Sequence, residues 1–327
     1  MRRLLAITVV PVLACLVIAG CGSSKPSSSA SSSSSAASNP NANASVTVAG
    51  TFGTAPVVKI PNFDANDKLT VKTVIQGTGA ALTRSDVLAA NFVVYTWDGT
   101  SSSLKQNTFS TNPAIIPSSM LPGLESALIG QKVGSRVLAV IPPKEGFGTA
   151  GNPQAGIKGT TTLVFVIDML RAYPTTVSAS GTQESNGGGS LPTISAHPGS
   201  DPKITIPSNV PPSTLVTKTL IKGVGPKLVK GEYVIAQYTG YIWRTKQEFD
   251  SSWKAGAPFG FLFDSPSQSL ISGWNVGLTG QTVGSRVMLV IPPKDGYGSA
   301  GESQAGITGT DTLVFVVDII DAFHHAG

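Results

Sequence analysis

Side chains able to do covalent or metal chemistry are sparse in this chain. There are three histidines and two cysteines among 327 residues. His324 and His325 are neighbours near the C-terminus, but two imidazoles without carboxylate support make a weak metal site, and a solvated tail is the plainer reading. His197 precedes Pro198 in a Ser- and Gly-rich stretch. Cys15 lies in an apolar N-terminal run and Cys21 directly follows that run. The remainder holds no thiol, which excludes thiol catalysis, disulfide exchange and cysteine-based metal sites from the folded part. No convincing nucleophile–base–acid set stands out.

One long stretch of the chain occurs twice. Residues 130–170 and 280–320 align without a gap at an offset of 150, with 28 of 41 positions identical. That period is too long for a solenoid repeat and suits a whole domain. Each copy is rich in β-branched and aromatic runs separated by Gly and Pro, which predicts strands. In the second copy these are Leu215–Ile221, Tyr233–Tyr241, Phe259–Phe263, Ser285–Ile291 and Thr312–Ile320. The run Val287-Met288-Leu289-Val290-Ile291 alternates poorly, so it predicts burial on both faces or a strongly curved sheet. One helix is predicted over Ser269–Gly280, with Gly280 as its stop. The fold class is α+β: a mostly antiparallel sheet wrapped around one short helix, present twice.

The second copy contains, in order, YTGYIW, EFDSSW, PFGF, LISGW, VGSRVMLVIPPKDGYG and TLVFVVDII. This order resembles the FKBP-type peptidyl-prolyl cis-trans isomerases over about Leu215–Phe323. Any one motif is weak, but the set is specific. The resemblance implies an antiparallel half-barrel around a short helix, isomerisation of X-Pro bonds, no cofactor and no metal. It implies substrates that are X-Pro-containing polypeptides, with macrolides as possible ligands.

Carried onto this chain, the resemblance places a substrate pocket on Tyr238, Phe249, Phe259, Leu270, Ile271, Ile307 and Phe315, and the catalytic positions on Asp250, Trp274 and Tyr297. Trp274 is expected to form the floor under the proline ring, with Tyr238, Phe249, Phe259 and Phe315 as walls. The Tyr297 hydroxyl and the Ile271 N–H are expected donors to substrate carbonyls. For Asp250 two roles stay open, ordering polar neighbours or assisting the twisted amide. These residue types suit the reaction. The barrier to rotating an X-Pro bond, about 18–20 kcal/mol, is amide resonance. The planar amide is more polar than the twisted one, so an apolar, water-excluding pocket favours the twisted state. The loop before the last strand reads SAGESQAGITGTD, without the histidine and paired prolines frequent in the family.

The first copy matches less well. It is expected to keep Tyr95, Phe109, Ile157 and Phe165 but to carry Ser110 for Asp250, Leu124 for Trp274 and Phe147 for Tyr297. Between Phe109 and Gly123 it is ten residues shorter than between Phe249 and Gly273, so a pocket wall is expected to be missing. This predicts little or no turnover in the first copy, with peptide binding of a chaperone-like kind or mere spacing as its uses; for the whole chain the alternative function is a non-catalytic, peptide-binding or chaperone-like lipoprotein.

The N-terminus reads as a secretory signal: Arg2 and Arg3, then the apolar run Leu4–Gly20. The alternative, a spanning anchor, is marginal at that length with Pro11 inside it. Leu16-Val17-Ile18-Ala19-Gly20-Cys21 resembles the lipobox of bacterial lipoproteins, which implies lipidation of Cys21 and an extracytoplasmic, membrane-anchored location. The expected layout is signal peptide 1–20, lipidated cysteine and disordered Ser-rich tether 21–45, first domain 46–174, linker 175–200 and second domain 201–327. The formal net charge is +5 and the basic residues are scattered, without the basic stripe a nucleic-acid partner would need.

Overall fold

The computed structural model describes residues 42–117, 121–265 and 270–324. Cys21, the signal segment and most of the tether lie outside the described residues. In the first domain β1 is Thr47–Ala49, β2 Val57–Lys59, β3 Thr70–Ile75, β4 Asp86–Asp98, β5 Ser101–Asn107 and β6 Ala114–Ile116. Helix α1 (Pro122–Leu128), β7 (Arg136–Ile141) and β8 (Thr162–Pro174) complete it. The second domain has β9 (Gly181–Gln183), β10 (Thr193–Ser195), β11 (Lys203–Thr205), β12 (Val216–Gly223), β13 (Tyr233–Ile242) and β14 (Gln247–Ser251). It continues with α2 (Ser252–Ala255), β15 (Phe259–Leu262), α3 (Ser272–Leu278), β16 (Arg286–Ile291) and β17 (Leu313–Phe323). The main sheets run β3-β7-β8-β4-β5, with β6 also on β4, and β9-β12-β16-β17-β13-β14, with β15 also on β13. All named pairings are antiparallel.

The poorly alternating strands are buried on both faces. Every residue of β7 and of β16 is buried. Alternate side chains separate into two cores, as the two-residue period of a strand requires. In the first domain Val137, Ala139, Ile141, Phe165 and Ile167 face α1. Leu138, Val140, Val164 and Val166 face the other way and are covered by Ala42, Val46, Val48 and Val58 from the β1–β2 hairpin. In the second domain Ile194, Ile204 and Ile206 of the β10–β11 region cover Met288, Val290, Val314 and Val316 in the same manner.

Two domain boundaries differ from the sequence reading. Residues 42–45, read as the end of the tether, belong to the first domain: Ala42 and Asn43 are fully buried. Asn43 Nδ2 donates to Asn66 Oδ1 at 2.7 Å and to the Lys68 carbonyl at 2.8 Å. The stretch 175–200, read as a linker, carries β9, paired with β12, and β10, paired with β11. Its polar composition hides a strand register that only the partner strands define. The predicted helix Ser269–Gly280 is shorter, Ser272–Leu278, and Gly280 closes it at φ +79°.

In the first domain the covering hairpin docks on a buried ion pair, and the second domain has a pair at the equivalent place. Arg136 Nε and Nη2 donate to Asp168 Oδ1 and Oδ2 at 2.6 and 2.8 Å, with both side chains fully buried. The β1–β2 turn completes the cluster: Gly53 N donates to Asp168 Oδ2 at 2.7 Å, and Arg136 Nη2 donates to the Thr54 carbonyl at 2.6 Å. In the second domain Arg286 pairs with Asp318, and Ala179 N donates to Asp318 Oδ2 at 2.9 Å. Removing one partner of such a pair strands the other charge, at a cost of about 3–5 kcal/mol. Asp168→Ala is therefore expected to lower unfolding free energy by that amount in urea titration. A loss below about 1 kcal/mol would show that the pair holds nothing.

The two domains meet through equivalent faces. Val87, Ala89 and Tyr173 of the first pack with Tyr233, Ile235 and Phe323 of the second. Tyr233 Oη donates to the Pro113 carbonyl and Tyr173 Oη to Asp321 Oδ2, both at 2.7 Å. A cavity of about 400 Å³ lies at this seam, bordered by Phe52, Asn91, Arg171 and Phe323, away from the aromatic site described next.

Candidate active site in the second domain

Helix α3 lies against the concave face of the second sheet. It approaches closely because Gly273 and Gly277 face β16: a Cβ on either would stand 2.6 Å from Ile291 Cγ2 or 2.5 Å from Leu289 Cδ2. Ile271 caps the helix start and accepts from the Trp274 N–H at 3.1 Å. The Trp274 indole thereby sits inside the sheet's curve with 4% exposure.

Trp274 meets the surrounding rings edge to face. Ring centroids lie 5.4 Å from Tyr238, 5.3 Å from Phe315, 5.6 Å from Phe261 and 6.3 Å from Phe259, at interplanar angles of 79–89°. Such pairs add about 0.5–1.5 kcal/mol each beyond the area they bury. Phe249 stands over Phe315 at 5.5 Å. Trp274, Tyr238, Phe315 and Ile307 are buried, whereas Phe249, Phe259, Leu270, Ile271 and Tyr297 are partly exposed and pack on the same cluster. The structure thus brings all the sequence-predicted apolar positions to one place, with a buried floor and a half-exposed rim.

A bulge introduces the polar group. β14 shifts register on β13 between Gly240 and Tyr241. Bulges re-aim side chains, and here adjacent Phe249 and Asp250 both reach the pocket. Asp250 Oδ2 accepts from Tyr238 Oη at 2.5 Å. Burial, then Asp250 itself, pushes the Tyr238 phenol well above its ordinary value, so it remains a donor. Burial also raises Tyr297, helped by the negative charges of Glu302 and Asp250, and its hydroxyl stays protonated too.

Two contributors escaped the sequence reading. Phe261 is fully buried and stacks on Phe259 at 5.5 Å and 19°; its signal was the two-residue spacing on one strand. Gly240 is needed because a Cβ there would stand 2.8 Å from both Phe249 Cζ and Phe315 Cε1.

The sequence pattern of the FKBP-type peptidyl-prolyl cis-trans isomerases matches residues 79–170 and again 225–320. The chain belongs to that family. An FK506-binding protein of Streptomyces anulatus is 36% identical over 119 residues, covering 36% of this chain and 94% of the relative. A probable FK506-binding protein of Corynebacterium glutamicum is 39% identical over 121 residues, covering 37% of this chain and 98% of the relative. The crystal structure of FkpA from Escherichia coli is 34% identical with a TM-score of 0.31, covering 35% of this chain and 49% of that one.

With two FKBP-type domains in one chain, strand register decides which residues correspond, and it corrects the sequence reading of the first. Phe165 pairs with Val94 as Phe315 pairs with Gly240. Two residues upstream, Phe92 therefore corresponds to Tyr238. Tyr95 corresponds to Tyr241 and packs in the outer core. Phe92 N donates to Thr108 Oγ1 at 2.7 Å, as Tyr238 N does to Ser252 Oγ at 2.8 Å. Val94 pairs with Gln106 and Gly240 with Asp250, so Gln106, not Ser110, takes the aspartate's place, and Lys105 takes that of Phe249. Phe109 lies in the outer core beneath the Arg136 guanidinium, 5.7 Å from its ring centroid. The missing wall is present: β6 pairs with β4 as β15 does with β13, placing Ala114 for Phe259 and Ile116 for Phe261. Leu124, Ile157, Phe165 and Phe147 remain with the inner core, as expected.

Proposed function

We propose that the second domain performs the isomerisation and that the chain acts as a lipid-anchored, extracytoplasmic foldase for exported polypeptides. The observation that carries the first part is Trp274, held at the pocket floor by four aromatic edges and flanked by the Tyr238–Asp250 pair. A prolyl ring laid on the indole is shielded from water, which favours the less polar twisted amide over the planar one. No bond is made or broken and no proton leaves the substrate. The Ile271 N–H and the Tyr297 hydroxyl fix the carbonyls on either side of the rotating bond, and such positioning removes part of the entropic barrier. Asp250 fixes the Tyr238 ring and places a negative charge at the rim. The same pocket is proposed to accept macrolides, in keeping with the FK506-binding relatives. The lipobox-like run ending at Cys21 supports the anchor, and the Ser-rich stretch after it supplies the reach to clients.

Turnover of a chromogenic X-Pro peptide by the chain from Ser23 onward is expected. Asp250→Ala is expected to lower kcat/KM about 10-fold or more, equivalent to about 1.4 kcal/mol of lost transition-state stabilisation. A parent without turnover, or a variant equal to the parent, rejects this site. Radiolabelled palmitate incorporation that persists in Cys21→Ala rejects the anchor.

A further inference from the structure

Among the described residues, the first domain holds a buried side-chain acceptor without a partner. Gln106 Oε1 is buried without a hydrogen-bond donor. Its origin is visible in the register. Gln106 stands at the Asp250 position, where the second domain supplies the Tyr238 hydroxyl as donor; the first domain has Phe92 there, which has no hydroxyl. Residues directly paired across antiparallel strands share a face, so Gln106, half-buried, lies at the margin of the inner core on the same face as Val94. Buried polar atoms without partners are rare in native proteins, and each has a cost that a ligand able to pair with it relieves.

The chemistry of the replacement selects the ligand. A carboxylate only accepts, whereas a primary amide accepts through its oxygen and donates through its nitrogen. In an extended chain one residue presents its N–H and C=O on the same side, which is the pair a side-chain amide matches. The walls have changed in step: Leu124 replaces the Trp274 floor and Ala114 replaces Phe259. A flat aromatic floor for a prolyl ring is thus exchanged for a smaller aliphatic one.

We infer that the first domain is a second binding site, one that takes an extended polypeptide segment by its backbone through Gln106, without requiring proline and without isomerising it. This rests on the reading of the second pocket only in treating the two as homologous substrate sites. It makes the protein bivalent: one site holds a client while the other turns it.

Methyl and indole NMR signals of the whole described chain separate the two sites. The probes are an unstructured ten-residue peptide with a central proline, its alanine version, and the alanine version N-methylated at every residue. Leu124 and Ile157 methyl signals are expected to shift with the proline and alanine peptides at midpoints within about three-fold of each other, and not with the N-methylated peptide. The Trp274 indole signal is expected to prefer the proline peptide. Gln106→Leu is expected to weaken the Leu124 and Ile157 response about 10-fold, the loss of one good hydrogen bond plus its desolvation (about 1.4 kcal/mol). It should leave the Trp274 response intact and the melting temperature no lower than the parent's, since an orphaned acceptor has been removed. Unmoved Leu124 and Ile157 signals, a proline requirement there, equal binding by Gln106→Leu, or a lowered melting temperature in that variant would each overturn the inference. Isomerase turnover is measured alongside; its absence would sink the reading of the second pocket without altering the shifts at the first.

Discussion

Trp274→Leu, which gives the second domain the residue the first carries at Leu124, is expected to cost at least about 10-fold in isomerase kcat/KM, or 1.4 kcal/mol of transition-state stabilisation. Leucine is chosen over alanine because truncating a buried tryptophan to alanine costs about 3–5 kcal/mol of stability and would confuse an inactive site with an unfolded domain. Leucine keeps apolar contact with Ile307 and Phe315 but removes all four edge-to-face ring contacts. The Tyr238–Asp250 hydrogen bond belongs to a different pair of strands and is expected to survive. The measurement is a coupled turnover assay beside a thermal melt. Activity within two-fold of the parent, in a folded variant, would mean that the indole is packing and not a floor for the substrate.

Gly240→Val carries the second large effect. Its Cβ would lie 2.8 Å from Phe249 Cζ and 2.8 Å from Phe315 Cε1, too close for either ring to stay. Phe315 is fixed in the centre of the sheet between β13 and β16, so Phe249 at the edge is the ring that must leave. Overpacking of this kind costs about 1–3 kcal/mol, and the lost wall should lower turnover further. The first domain shows the compensated arrangement: Val94 at the glycine position and Lys105 at the phenylalanine position. Gly240→Val combined with Phe249→Lys should accordingly recover part of the stability lost in Gly240→Val alone. The expected coupling is about 1–2 kcal/mol in a double-mutant cycle read by urea unfolding. Turnover should not return, because the wall is still absent. Additive stabilities would show that the two sites do not touch.

The duplication and five strands of the second copy were legible in the order of residues, and the second pocket through its resemblance to the isomerase motifs. Motifs such as EFDSSW, which runs from β14 into α2, and LISGW, at the start of α3, are short, so local spacing preserves them. Tyr238, Trp274 and Phe315 could be named without knowing which strand lay beside which. The first domain was not legible in that way. Matching it by residue type chose Tyr95 and Phe109, both of which belong to the outer core. The offset between copies is 146 residues at Phe92 and Tyr238, 144 at Gln106 and Asp250, and 150 at Leu124 and Trp274. A slip by an odd number of residues along a strand moves a side chain to the opposite face, and Tyr95 is three residues beyond Phe92.

Composition and order alone therefore pointed to two β-rich domains, and the resemblance of the second copy's motifs to the isomerase family pointed to an apolar site with one carboxylate there. The tertiary structure decided what pairing across long separations controls. It showed that a hairpin docked on a buried arginine–aspartate pair covers the outer face of the first domain, and that the stretch 175–200 contributes strands. It showed that Gln106 stands where Asp250 does and has lost its donor. A hydrogen bond missing between strands β4 and β5 depends on which residues face each other, and that is set by register rather than by any local run of sequence.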